Sequence, residues 1–327
     1  MSKIFTAPAC LLTAGALAAV ASLAMAQPAY PGKPIRFIVP FPPGGSTNIV
    51  ARLAGQKVSD SLGQQVVIDN RPGGNTIIGT EAVARAAPDG YTILLVSSPF
   101  VIAPSLLASL PYETVKDFAP VATISVSQLM LVVHPSVPAG SLKEFIALAK
   151  ARPGQLNCGT AGSGGITHLA LELLNMQAGI KLQHVPYKGG GPAAIDLIGG
   201  QVQLSINVPI NFIQHIKSGK LKAIAISGEN RTAALPQVPT FAESGLPGFE
   251  VNNWYGVVAP AGTPRAIIDK LSAEFMKVPA MPDIKETLLS QVMDPLITTP
   301  DQFAALIKAD MARYAKVVKV ANIKGDQ

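Results

Sequence analysis

The sequence predicts an α/β chain of two lobes with a ligand cleft between them. Short apolar runs alternate with segments of helical spacing along most of the length, which argues for layered helices and strands. One β-type run, 121–133, is long enough to leave one lobe and enter another. Two glycine-rich turns, Pro42-Pro43-Gly44-Gly45-Ser46-Thr47-Asn48 and Thr160-Ala161-Gly162-Ser163-Gly164-Gly165-Ile166-Thr167-His168, each follow a short strand and open a helix. Such a turn exposes backbone N–H groups at the positive end of a helix, where an anion binds. Glycine lets a ligand come close because no Cβ blocks it.

The elements follow in order. Residues 35–39 form a strand, and Ile49, Val50, Leu53, Ala54, Val58 and Leu62 then keep helical spacing. A strand at 66–68, a turn at 71–75 and a helix over 78–86 come next. Pro88-Asp89-Gly90 closes that unit before a third strand at 91–96. The stretch 97–120, with prolines at 99, 104, 111 and 120, reads as irregular. The run 121–133 is β-type with a bend near 125–127. A second α/β series follows: helix 142–151, the turn 159–167, helix 168–176, strand 182–185, helix 193–198, strand 204–206, helix 210–217 and strand 222–226. After a proline-rich connection, a strand at 251–258 and two helices, 265–276 and 300–320, complete the chain. These boundaries give one discontinuous lobe of 27–125 and 228–327 and a second of 126–227.

Residues 1–26 read as an export leader. Lys3 gives a basic start, 9–23 is small and apolar, and Ala24-Met25-Ala26 is an A-x-A cleavage site. Without the leader about 300 residues remain, enough for one large domain or two ordinary ones. The net charge of +6 is dispersed, with no basic run and one Trp, which argues against nucleic acid and favours attraction of small anions. Cleavage leaves Cys158 alone, so no intrachain disulfide forms, and a small buried side chain is expected there.

Seven segments, in order, resemble one family. They are the 42–48 turn, Asn70-Arg71-Pro72-Gly73-Gly74, Pro88-Asp89-Gly90-Tyr91, Leu110-Pro111-Tyr112 with Lys116-Asp117-Phe118, the 162–168 turn, Val185-Pro186-Tyr187-Lys188-Gly189, and Trp254-Tyr255-Gly256 with 259–264. The set resembles the Bug family, the extracytoplasmic solute receptors of tripartite tricarboxylate transporters. The resemblance implies a type II-like periplasmic binding protein, monomeric and without cofactor or metal. It would pass a di- or tricarboxylate or an aromatic acid to large and small membrane subunits. Carried over by position, it implies a first carboxylate turn of Gly44, Gly45, Ser46 and Thr47, and a second of Ala161, Gly162, Ser163 and Gly164, with Thr167 beside it. Gly74, Asn75, Ser97 and Ser98 would line the cleft. Two positions depart from the family's usual aspartate: Asn48 and Asn207. At Asn207 a neutral amide suits a hydroxyl or carbonyl better than an ammonium, which disfavours amino-acid ligands.

Other chemistries fit the residues less well. Residues 74–79 lack the lysine of a P-loop, having Thr80-Glu81 next. Thr167 stands where a dinucleotide fingerprint needs its third glycine. His134, His184 and His215 show no metal-ligand spacing. A secreted hydrolase using Ser163 and His168 is a rival reading, but Ser163 is not in a G-x-S-x-G elbow and His168 suits a capping role. A sensory subunit that presents its ligand to a membrane kinase is a second rival, which the sequence does not separate from transport.

Overall fold

The computed structural model describes residues 30–43 and 46–323, so the leader, Gly44 and Gly45 lie outside it. Strands β1 (Ile35–Val39), β2 (Val66–Asn70) and β3 (Thr92–Val96) are parallel. The near-continuous burial of β1 and β3 follows from helices covering both faces of the sheet, whereas β2, at the edge, is only partly buried. β4 (Phe118–Gln128), β10 (Asn252–Pro260) and the short β11 (Asp294–Pro295) complete a six-stranded mixed sheet of order β11-β4-β10-β3-β1-β2. The second sheet has five strands in the order β7-β6-β8-β5-β9. In it β6 (Asn157–Thr160), β7 (Gln183–Pro186) and β8 (Leu204–Asn207) are parallel, while β5 (Met130–Val133) runs antiparallel between β8 and β9 (Lys222–Ile226). In the first sheet β1 lies between its parallel neighbours β2 and β3, and in the second β6 lies between its parallel neighbours β7 and β8. Ligands of such sheets bind beyond the carboxyl ends of the strands, where the order reverses.

The chain passes between sheets at Leu129, two residues beyond the bend expected at 125–127. Ser125 and Ser127 stay paired with Tyr255 and Asn253, whereas the Leu129 N–H leaves the ladder and donates to Ser227 Oγ at 2.7 Å. Helices α1 (Ser46–Leu62) and α2 (Ile77–Ala84) flank the first sheet. The stretch expected to be irregular contains α3 (Ser98–Leu106). Pro99 sits in its first turn, where a missing N–H costs nothing, and Phe100, Val101 and Ile102 are buried. β4 begins at Phe118, earlier than expected, because a register shift accommodates Pro120 opposite Val258.

In the second lobe α4 (Leu142–Ala151), α5 (Ile166–Ala178), α6 (Gly190–Ile198) and α7 (Ile213–Lys217) surround the five strands. α8 (Arg265–Lys277), α9 (Pro282–Ser290) and α10 (Pro300–Ala321) end the chain. Of these α9 was not expected; Pro282 occupies its first helical turn. Thr299 and Gln302 form a capping box at the start of α10. α10 packs on α3, β4 and α5, so Phe303, Ile307, Tyr314, Val317 and Val318 join a core shared by both sheets. Among the described residues no helix is long and apolar enough to cross a membrane.

Candidate functional site

A cavity of about 600 Å³ lies where the carboxyl ends of the two sheets meet. The first lobe contributes Phe41, Ser46, Ile49, Ser127, Asn253, Tyr255, Gln291 and Met293. The second contributes Ala161, Ile166, Thr167, Gly189, Gly190, Asn207, Val208, Ile210 and Asn211. No charged side chain is among them. Three helices begin at this wall: α1 at Ser46, α5 at Ile166 and α6 at Gly190. The N–H groups of a first helical turn have no acceptor within their own helix, so the wall is electropositive without a formal charge.

The first-lobe side chains form a directed chain. Ser98 Oγ donates to Asn253 Oδ1 at 2.5 Å, and Asn253 Nδ2 donates to Tyr255 Oη at 2.8 Å. With the Asn253 amide so oriented, the acceptor left for the Tyr255 hydroxyl is Ser46 Oγ, 2.8 Å away. Ser46 then keeps its own hydrogen for the cavity. Tyr255 is fully buried, and burial raises its pKa, so it stays a neutral donor.

On the second lobe Asn207 ends β8 and is 2% exposed. Its Oδ1 accepts the Val208 N–H at 2.8 Å and Asn211 Nδ2 at 3.3 Å, which fixes the amide orientation. Its Nδ2 has no partner among the described residues. A buried amide with one end satisfied and the other bare is a donor for something absent from the chain. Gly190 closes against this pair: a Cβ there would stand 2.3 Å from Asn211 Nδ2 and 2.7 Å from Asn207 Nδ2.

Four of the residues expected at the site therefore share the cavity wall: Ser46, Ala161, Thr167 and Asn207. Gly44 and Gly45 lie outside the described residues. Thr47, Gly74, Asn75, Ser97, Ser98, Gly162, Ser163 and Gly164 are not on the wall. Thr47 and Ser97 are buried, and Ser98 acts from behind by holding Asn253. Gly74, Asn75 and Thr76 take left-handed φ of 55°, 49° and 78°, a strained run for a threonine. Two amides of the second turn are already engaged: Ala161 N–H donates to Thr167 Oγ1 and Gly164 N–H to His168 Nδ1, each at 3.0 Å. Asn48 faces away from the cavity, bridging Asn70 and Arg52.

His168 stacks on His184 with ring centroids 3.7 Å apart. Burial, reinforced by His184, pulls its pKa down to about 4, so it is neutral and able to accept the Gly164 amide. Its Nδ1 receives that amide rather than a serine hydroxyl, so His168 Nδ1 is not placed to take a proton from Ser163. Cys158 is buried, and burial pushes its thiol up to about 12. Among the described residues no group of three or more His, Cys, Asp or Glu could hold a metal ion.

Asn253, Tyr255, Gly190 and Asn211 are wall residues that the sequence did not assign to the site. Alternation along β10 carries a signal for the first two, and the run Gly189-Gly190-Gly191 ahead of a helix carries one for the third. Asn211 has no sequence signal of its own.

The chain is 41% identical over 297 residues to Protein BugT of Bordetella pertussis, covering 90% of this chain and 91% of that one. A solved structure described as R. palustris Rpa4515 with adipate is 32% identical with a TM-score of 0.79, covering 90% of this chain and 99% of its own. MatC (Rpa3494) from Rhodopseudomonas palustris with bound malate is 32% identical with a TM-score of 0.75, covering 88% and 100%. Residues 50–323 match the model of the tripartite tricarboxylate transporter family receptor, and the chain belongs to that family of periplasmic solute-binding proteins.

Proposed function

We propose that this chain captures a small carboxylate in the interlobe cavity and delivers it to the large and small membrane subunits of a tripartite tricarboxylate transporter. The ligand is a di- or tricarboxylate or an aromatic acid without an amine. The protein would be exported, lose its leader after Ala26 and work in the periplasm as a monomer. Its two lobes would hinge where the chain crosses at Leu129 and again between β9 and β10.

One observation carries the reading. A wall without charged side chains gathers three helix starts and a bare, buried Asn207 Nδ2 donor. Those groups donate and do not accept, so they match the oxygens of an acid. Each hydrogen bond to a carboxylate contributes about 1.5–3 kcal/mol net. Phe41, Ile49, Ile166, Val208, Ile210 and Met293 supply apolar wall for the ligand's carbon body. Binding is noncovalent; closure of the lobes would exclude water and strengthen the contacts. The adipate and malate held by the two related structures support the ligand class.

The test is a thermal-shift screen of C4–C6 dicarboxylates, citrate and benzoates, followed by calorimetry. A ligand at one hundred times its Kd should stabilise the fold by about 2.7 kcal/mol. Equal binding of the corresponding methyl esters or amides would overturn the carboxylate assignment.

A further inference from the structure

The strands that floor the ligand cavity present their other face to a second cavity of about 540 Å³. Along β10, Asn253 and Tyr255 face the first cavity, while Asn252 and Trp254 line the second. Across the ladder, Gln128 pairs with Asn252, Val126 with Trp254, and Asp294 with Val126, so these side chains share that back face.

Four carboxylates and two guanidinium groups line this second cavity. Both cations are engaged. Arg231 Nε donates to Glu243 at 2.8 and 3.1 Å, outside the wall. Arg313 spans Glu250 at 2.7 Å and Asp310 at 3.4 Å. Asp310 also accepts the Trp254 indole N–H at 2.8 Å. Asp294 has no donor among the described residues, and burial alone raises its pKa.

Gln128 supplies an independent observation. It is 9% exposed, and its Nε2 donates to the Asn230 carbonyl at 2.8 Å, which fixes the amide. Its Oε1 is buried without a partner among the described residues. Gly228, at φ +96°, leaves room for that amide; a Cβ there would stand 2.6 Å from Nε2. The unfilled capacity here is for acceptance, the reverse of the ligand cavity. No three metal-ligating side chains converge among the described residues, so a bare metal ion does not match.

We propose that this back cavity is a second site, one that binds a small organic cation, with an ammonium group on Asp294 and Gln128 Oε1 and its carbon body along Val126, Leu296 and Leu306. The volume lies within the range of small-molecule sites.

Calorimetry of the exported chain with 1,4-diaminobutane tests this. Expected is saturable one-to-one binding that persists when the front cavity is filled with a carboxylate, and a loss of at least tenfold in Asp294→Asn. On the unaltered protein, 1,4-butanediol has the same length without charge and should not bind; this comparison stands even if the variant fails to fold. Absence of saturable diamine binding at millimolar concentration, unchanged binding in a folded Asp294→Asn, or equal binding of the diol would each overturn the proposal. Displacement of the diamine by the carboxylate would place it in the front cavity and overturn it too. Failure of carboxylate binding alone would count against the proposed function and leave this site standing.

Discussion

Gly190→Ala should separate binding from folding. The added methyl would lie 2.3 Å from Asn211 Nδ2, 2.7 Å from Asn207 Nδ2 and 3.0 Å from Asn207 Oδ1. Ordinary contact needs more than 3 Å, so the Asn211 amide must retreat by about an ångström and the Asn207 amide must turn. The Asn211–Asn207 bond, already 3.3 Å long, is lost first. If Asn207 Nδ2 donates to the ligand carboxylate, removing that bond costs about 1.5–3 kcal/mol, a fall in affinity of roughly 10- to 150-fold. Folding should suffer less. Alanine in the first turn gains about 0.5–1 kcal/mol of helix preference over glycine, against about 1–3 kcal/mol for overpacking. The adjacent Gly191→Ala is the matched control, because its Cβ would meet nothing within 4 Å. Calorimetry with the strongest acid from the screen, alongside thermal melts, reads both quantities. Equal affinity of the Gly190→Ala and Gly191→Ala proteins would refute the role given to the Asn207–Asn211 pair.

Asn207→Asp should weaken succinate-type ligands and narrow or reverse their advantage over aspartate-type ones, since a buried carboxylate repels a second and attracts an ammonium; paired titrations check this. Tyr255→Phe leaves Asn253 Nδ2 without its acceptor and Ser46 without its donor, so denaturant melts should show a loss of about 1–3 kcal/mol, with weaker acid binding by calorimetry. His168 has a folded pKa of about 4 against 6.5 for the free group, so its neutral state favours the native fold above pH 6.5 and this support is lost as pH falls toward 4. Glu172, whose pKa burial raises, offsets part of that loss by taking up a proton in the fold. His168→Asn retains an acceptor but does not titrate, so its melting temperature should fall less between those pH values; parallel profiles would refute the assignment.

The alternation of apolar runs and helical spacing was enough to read the α/β layers, because parallel strands buried on both faces leave continuous apolar segments such as 92–96. The helix starts at Ser46 and Ile166 were legible because each follows a glycine-rich turn after a strand; Gly44 and Gly45 themselves lie outside the described residues, and Gly162, Ser163 and Gly164 are not on the cavity wall. Prolines misled in the stretch 97–120, since Pro99 in a first turn looks in sequence like a proline that breaks a helix. The strand break at Leu129 was misplaced because its cause, the Ser227 hydroxyl, lies 98 residues away. Distance also hid the Ser46–Tyr255 contact, which joins residues 209 apart. Asn253 and Tyr255 look in sequence like ordinary members of a buried strand; only the meeting of the lobes makes their face a cavity wall.

The two faces of β10 show how one pair of crossing strands can carry opposite chemistries. Toward the front, hydroxyls, amides and helix starts are arranged to give hydrogens, and no carboxylate is near enough to oppose an acid. A neutral donor wall does not oblige the empty protein to bury an ionised side chain, so loss of the ligand strands no charge. An arginine would hold a carboxylate more tightly, but it would also leave a buried cation behind on release. Selectivity at such a wall has to come from where neutral donors stand, which is why a single methyl at Gly190 or a single charge at Asn207 should alter it. Toward the back, Asp294 and the buried Gln128 Oε1, both acceptors, have no donor among the described residues. Since both cavities share the same strands, the proposed hinging of the lobes about Leu129 would change both walls together, and an occupant of either one that prefers a particular lobe angle would bias the other.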